Sequence, residues 1–252
     1  MKYIYNYKFE HKDGRDCKFT HVPLHFPEKF SLVDSRFPGV LDQGSLGSCT
    51  AQATSNALRY CLRKEGKEDN QPSRLFIYYY SRLLERTVNE DSGAYIRDVM
   101  KAVSKYGACT ESSSEWPYII SKFKQSPPSS CVESAKKHIP NFQYLSVGQT
   151  ESQLKAALVN GFPIVCGIMI YQSFEDDECM KTGHVPLPNR RTESLYGGHC
   201  VLIVGYDDST REFLMENSWG TNVGDKGYFY IPYDFLTSPH LANDFWTLTY
   251  YQ

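Results

Sequence analysis

The stretch LDQGSLGSCTAQATSNALRYCLRK, residues 41–64, carries most of the weight in deciding the fold. A glycine-bearing turn runs directly into an apolar-periodic segment, and Cys49 sits at the joint. Ala53, Ala57, Leu58, Cys61 and Leu62 recur on one face at helical spacing. Arg63 and Lys64 suit the negative end of a helix, and Gly66 suits its stop. The spacing therefore predicts a helix that begins at Cys49. In the first turn of a helix the backbone N–H groups lack partners and the dipole is positive. Both favour thiolate over thiol, which makes a sulfur there a better nucleophile. On this stretch alone, a buried structural cysteine that opens a helix fits equally well.

Working outward, SRLFIYYYSRLLER (73–86) is a second helical segment with Ser73 as its cap. DSGAYIRDVMKAVSKYG (91–107) holds a third, with Ile96, Val99, Met100 and Val103 on one stripe and Gly107 as its stop. SKFKQSPPSSC (121–131) reads as a polar connector, a surface loop. TESQLKAALVNG (150–161) is a short helix ending at Gly161. After it come PIVCGIMI (163–170), HCVLIVGYD (199–207), REFLMENS (211–218), KGYFYI (226–231) and DFWTLTYY (244–251), short β-branched or aromatic runs. Helices first and strands later predict an α+β fold with the two kinds segregated. The first 38 or so residues, with Pro23, Pro27 and Pro38, read as extended, loop-rich chain.

A length of 252 residues suits one large domain or two close subdomains. A formal charge of −2 gives no electrostatic case for nucleic acid or an anionic membrane. The 19 tyrosines, and FIYYYSR in particular, are read as core-edge packing rather than a base-stacking platform. No apolar run is long enough for a signal-peptide core or a membrane span. The eight cysteines include no C-x-x-C pair and no Cys/His cluster at zinc spacing, so neither metal nor cofactor is expected. Mostly reduced thiols and an intracellular or other reducing setting follow; for a viral source, a virion is the further setting. The acidic FEDDEC (174–179), with His184 nearby, matches no calcium loop and reads as a solvated loop.

Nucleophilic catalysis by Cys49 needs a base beside the thiol and a third group to orient that base. His199, in YGGHCVLIVGYDD, lies at the mouth of a buried strand. Asn217, in ENSWGTNVGDKGYFYIP, has an amide able to hold an imidazole, and Trp219 is placed to cover that hydrogen bond. Gln43, six residues before Cys49, can offer a side-chain N–H to an oxyanion.

With these residues in view, the sequence resembles the papain-like cysteine peptidases. The resemblance runs from about Val33 to the C-terminus through DQGSLGSCTAQA, DSGAYIRDVMKAV with SSEWPY, FPIVCGIMIYQSF, GGHCVLIVGYDD and ENSWGTNVGDKGYFYIPYDFL. It looks nearest to bacterial and viral members with a DQG-x-LGSCTA motif. It implies Cys49 as nucleophile, His199 as general acid/base, Asn217 as its orienter, Trp219 as the shield, and Gln43 with the Cys49 N–H as oxyanion hole. Gly93 matches a glycine whose backbone pairs with extended substrate. Gly167, Gly197, Gly198 and Cys200 match the pocket for the second residue before the cleaved bond, here expected to be roomy. Cys200 is also a candidate disulfide partner of Cys49, although a pocket-wall place suits it better.

The implied fold is two-lobed: a helical lobe over about 39–125, and an antiparallel sheet or barrel lobe over about 126–252. The arm, 1–38, either packs on the body or covers part of the cleft. The implied activity is thiol-dependent peptide hydrolysis through a thioester on Cys49, with an extended peptide or protein as partner and oligomeric state left open. The alternatives are a silent peptide-binding relative and an acyl transferase or ligase. Two departures stand out: Leu46 replaces the cysteine that forms a disulfide in secreted members, and Thr50 replaces an aromatic.

Overall fold

The computed structural model describes residues 3–10, 13–21, 23, 25–35, 37–67, 70–112, 114–138 and 142–250. Chain order sets a short strand β1 (Lys29–Ser31) before the helices α1 (Cys49–Lys64), α2 (Arg74–Glu85), α3 (Ile96–Tyr106) and α4 (Ser129–His138). Then come β2 (Phe142–Ser146), α5 (Glu151–Val159), β3 (Ile164–Tyr171), α6 (Asp177–Thr182) and β4 (Leu195–Asp207). β5 (Glu212–Glu216), β6 (Tyr228–Pro232), α7 (Tyr233–Thr237) and β7 (Ala242–Tyr250) complete the fold. The strands form one antiparallel sheet in the order β2-β7-β3-β4-β5-β6, with β1 added beside the end of β4. The fold is α+β, with most of the helices ahead of the sheet in the chain, as expected.

The expected helix at Cys49 forms and is central. Every residue from Cys49 to Leu58 is buried, polar ones included. Such a helix must satisfy its polar side chains inside the protein. Ser55 donates to the Pro72 carbonyl, and Asn56 donates across the lobes to Glu216 Oε1 at 2.7 Å. α2 opens where Ser73 accepts from the Phe76 N–H, and α5 where Thr150 accepts from the Gln153 N–H. α3 starts only at Ile96, because residues 91–95 stay out of the helix and line the cleft.

Two segments differ from expectation, and a third takes a definite form. The supposed surface loop 121–131 contains the start of α4, whose Cys131 and Ala135 are buried. α4 packs on α3 so tightly that a Cβ on Gly107 would strike the Ala135 carbonyl. The acidic run 174–179 is a short 3-10 turn leading into α6, because Phe174 packs on Phe229 and Cys179 is buried. The N-terminal segment does more than pack loosely. β1 pairs with residues 205–207, and Asn6 forms a parallel bridge with Gly198 at the other end of β4.

Candidate active site in the cleft

Backbone pairing brings the separated motifs together. Gln43 N–H donates to the Ser218 carbonyl (2.9 Å), Gly220 N–H donates to the Leu41 carbonyl (3.0 Å), and Asp42 bridges to Trp219. The loop before Cys49 is thus clamped to the loop after β5. Cys49 is fully buried at the head of α1, and the N–H groups of Cys200 and Thr50 act on its sulfur. His199 lies in β4, opposite Ile168 of β3. Its Nε2 is 2.8 Å from Asn217 Oδ1, while its Nδ1 is buried with no hydrogen-bond partner. Trp219 stacks on the imidazole with ring centroids 4.9 Å apart, which seals the His199–Asn217 bond from water.

Two supports were not legible in the sequence. Ser218 donates its N–H to Asn217 Oδ1 (2.7 Å) and its hydroxyl to Gln43 Oε1 (2.7 Å). One residue therefore fixes both amides, and it fixes which end of Gln43 carries the N–H groups. One of those donates to the Leu46 carbonyl at 3.0 Å; an amide nitrogen has a second to offer. Asp91 accepts the Gly47 N–H on both carboxylate oxygens, at 3.1 and 3.0 Å, and the Tyr78 hydroxyl at 2.5 Å. It anchors the turn that feeds Cys49 into the helix.

The N-terminal arm fills the space in front of these groups. Tyr3 stacks on Trp219 at 3.9 Å, and Tyr5 stands edge-on to His199 at 6.0 Å. The Tyr5 hydroxyl reaches Glu175. Asn6 crosses between Gly47 and Gly93, where no Cβ would fit, and donates to the Asp91 carbonyl at 2.9 Å. Gly93 has φ +69, which glycine alone adopts freely. Tyr7 N–H donates to the Gly198 carbonyl (3.0 Å), and the Tyr7 ring lies against Gly167 and Gly198. Gly197 sits under Tyr5, and Cys200 borders the Tyr7 ring together with Cys166. Lys8 pairs with Glu85 at 2.6 Å. All ten residues singled out from the sequence therefore border one cleft, and the arm lies in it. The arm's aromatics were passed over in the sequence, yet YIYNYKF alternates aromatics at period two, a strand-like signal that was available.

Covering the site changes its electrostatics. Burial pushes the Cys49 thiol up to about 12, against the Cys200 and Thr50 N–H groups that lower it. Burial likewise pushes His199 down to about 4, against the Asn217 hydrogen bond. Beneath the arm, burial thus works against both charges of a thiolate–imidazolium pair. Neighbouring Glu216 is pushed up to about 8 by burial, so it stays largely protonated at neutral pH. Among the described residues no His, Cys, Asp and Glu cluster suits a metal ion, and no helix is long and apolar enough to cross a membrane.

Comparison with known proteins agrees with the geometry. The family model described as "Papain family cysteine protease" matches residues 26–241. An uncharacterized peptidase C1-like protein of Acanthamoeba polyphaga mimivirus is 39% identical over 217 residues, 82% of this chain and 68% of the viral protein. The structure of xylellain, a cysteine protease from Xylella fastidiosa, superimposes with a TM-score of 0.92 at 37% identity, covering 98% of this chain and 96% of that one. Procathepsin L 3 of the Tenebrio molitor larval midgut shares the fold, with a TM-score of 0.70 at 18% identity over 93% of this chain and 74% of that one. With a family match over most of its length and the cysteine, histidine and asparagine gathered in one cleft, this chain belongs to the papain family of cysteine proteases.

Proposed function

We propose that this chain hydrolyses peptide bonds through a thioester on Cys49, in a two-lobed domain whose arm, residues 1–38, covers the cleft until displaced. The observation that carries the reading is the state of His199. One ring nitrogen is held by Asn217, and the other is buried and unpartnered in the cleft that contains Cys49. An orphaned buried nitrogen costs free energy unless function keeps it. With the arm displaced, Cys49 gives its proton to His199 and its sulfur attacks the substrate carbonyl. The Cys49 N–H and the Gln43 amide receive the oxyanion. His199 then protonates the departing amine, the C–N bond breaks, and water, deprotonated by His199, clears the thioester. The substrate is an extended peptide that pairs with Gly93 and Gly198.

The arm's direction supports its role as a cover. Residue 7 occupies the pocket ascribed to the second residue before the cleaved bond, while residues 5 and 3 lie towards Trp219. Residue numbers fall along the direction in which a substrate's would rise, so the arm lies reversed relative to a substrate. A reducing setting fits Leu46, a buried residue in place of the disulfide-forming cysteine of secreted members.

The test is intact mass after exposure to an epoxysuccinyl thiol inhibitor, beside hydrolysis of a fluorogenic peptide. One adduct on the wild type, none on Cys49→Ala, and a loss of about 10⁴-fold or more in kcat/KM for Cys49→Ala are expected. Turnover that survives Cys49→Ala or His199→Ala would end the proposal. An adduct without any turnover would favour the silent peptide binder, and transfer to an added amine in place of water would favour the acyl transferase.

A further inference from the structure

The pocket that Tyr7 fills has a polar floor. Its walls are bare backbone at Gly167 and Gly198, with Cys166 and Cys200 beside the ring. Tyr7 is 94% buried there, leaving 6% exposed. Its hydroxyl ends between two polar groups on β7: Asn243 Oδ1 at 2.5 Å, and the Asp244 carboxylate. A phenol has one proton and two lone pairs. The proton belongs to the carboxylate, and Asn243 completes the pair by turning its NH₂ to the phenol oxygen, an amide orientation chosen from the hydrogen bonding. Asp244 itself sits at φ +54, a backbone state that Asp and Asn tolerate better than most residues. The carboxylate is thus fixed at the bottom of a slot as deep as a phenol.

Resting on the peptidase reading, we propose that Asp244, with Asn243, makes this pocket select tyrosine at the second position before the cleaved bond. The arm's Tyr7 displays the preferred side chain. Phenylalanine or leucine entering the slot would bury the Asp244 carboxylate and the Asn243 amide without the hydroxyl that joins them, and sites that hydrogen-bond a substrate hydroxyl reject analogues lacking it. Arginine and lysine are disfavoured by a resident cation. Arg97, on α3, acts on the Asp244 carboxylate, and in the covered state it pairs with Glu10 and Asp16 at 2.6 Å each. Both of those carboxylates belong to the arm; Glu10 leaves with the cleft-filling residues, whereas Asp16 adjoins the Cys17–Phe19 segment paired with Ser146 of β2, and Arg97 stays. The floor then already carries a positive charge when substrate arrives.

The experiment keeps the full chain and opens the pocket with Tyr7→Ala. Peptidyl epoxide probes that differ only at this position (Tyr, Phe, Leu or Arg) are compared by their second-order rates of Cys49 labelling, read by intact mass. The Tyr probe is expected to label about tenfold or more faster than Phe, with Leu and Arg slower still. Asp244→Gly removes the carboxylate without straining the backbone and is expected to bring the Tyr-to-Phe ratio to about one. Asp244→Asn, which keeps an acceptor, is expected to retain part of it. Labelling in which Phe, Leu or Arg equals Tyr, or a ratio indifferent to Asp244→Gly, would overturn the assignment while leaving the peptidase intact. Failure of every probe to label Cys49 would instead remove the peptidase reading, and the assignment with it.

Discussion

The N-terminal segment meets β4 twice, by two different means. Around residues 29–31 it meets residues 205–207 as a regular antiparallel strand held by backbone hydrogen bonds. Around residues 3–8 a few backbone contacts place side chains into pockets: Tyr3 on Trp219, Tyr5 by His199, Tyr7 in its slot and Lys8 on Glu85. The first contact is sequence-tolerant and lies at the end of β4 away from His199, as suits a tether. The second depends on particular side chains and, on the proposed reading, stands where substrate would lie. A cover can be both retained and removable when these two tasks fall on different residues.

The strongest way to break this comparison is to empty the pockets. Tyr5→Ala with Tyr7→Ala removes two aromatic anchors, each worth about 2 kcal/mol or more in a mostly buried site. Cys49 labelling by a small epoxide should rise by about 1,000-fold. Phe30→Ala at the tether, where Phe30 stacks on Tyr206 at 6.4 Å, should lower the melting temperature and leave the labelling rate near that of wild type. Equal labelling from both variants would mean that the two ends of the arm act as one unit.

Acid sharpens the contrast further, with a sign that geometry alone does not give. Burial holds His199 down at about 4 and the arm supplies part of that burial, so the open state takes up a proton more readily. Lowering pH from 7.5 to 5 therefore favours opening, through a residue that the arm covers but the tether does not touch. Burial acts in the opposite sense on Glu10, Glu85 and Asp244, whose carboxyls it raises; protonating them favours the covered state. Accessibility of Cys49 should therefore climb from neutral to mildly acid pH and flatten as the carboxyls take up protons. It is measured as labelling by a probe whose own reactivity is calibrated at each pH against a free thiol.

The same contrast explains what the sequence made legible. Helix starts and stops are local: Ser73, Thr150 and the α1 pattern each specify their element within a few residues. Cys49, His199, Asn217 and Gln43 stood out because nucleophilic chemistry restricts residue type and the family resemblance restricts order. α4 escaped because Cys131 and Ala135 are its only fully buried apolar residues, too few to mark a stripe. Ser218 and Asp91 act by holding other groups in place, and one hydrogen-bonding side chain looks like another until the fold brings it to its target. The arm's place in the cleft joins residues 192 positions apart, through Asn6 and Gly198, and only the alternation of Tyr3, Tyr5 and Tyr7 hinted at it.

The smallest effect belongs to the arm's ion pair. Lys8 keeps 26% of its side chain exposed, whereas Glu85 is only 5% exposed and also accepts the Tyr95 N–H at 2.8 Å. A pair open to water on one side contributes little, about 1 kcal/mol at most. Lys8→Ala should therefore raise Cys49 labelling only a few-fold at pH 7.5, where the Glu85 carboxylate loses its cation but keeps its backbone donor. At pH 5 the effect should shrink further. Burial already raises Glu85, removing Lys8 raises it more, and a protonated carboxyl has no need of the lysine. A Lys8→Ala effect that matched the double tyrosine variant, or that grew as pH fell, would move the hold on the cleft from the aromatic pockets to the charge pair.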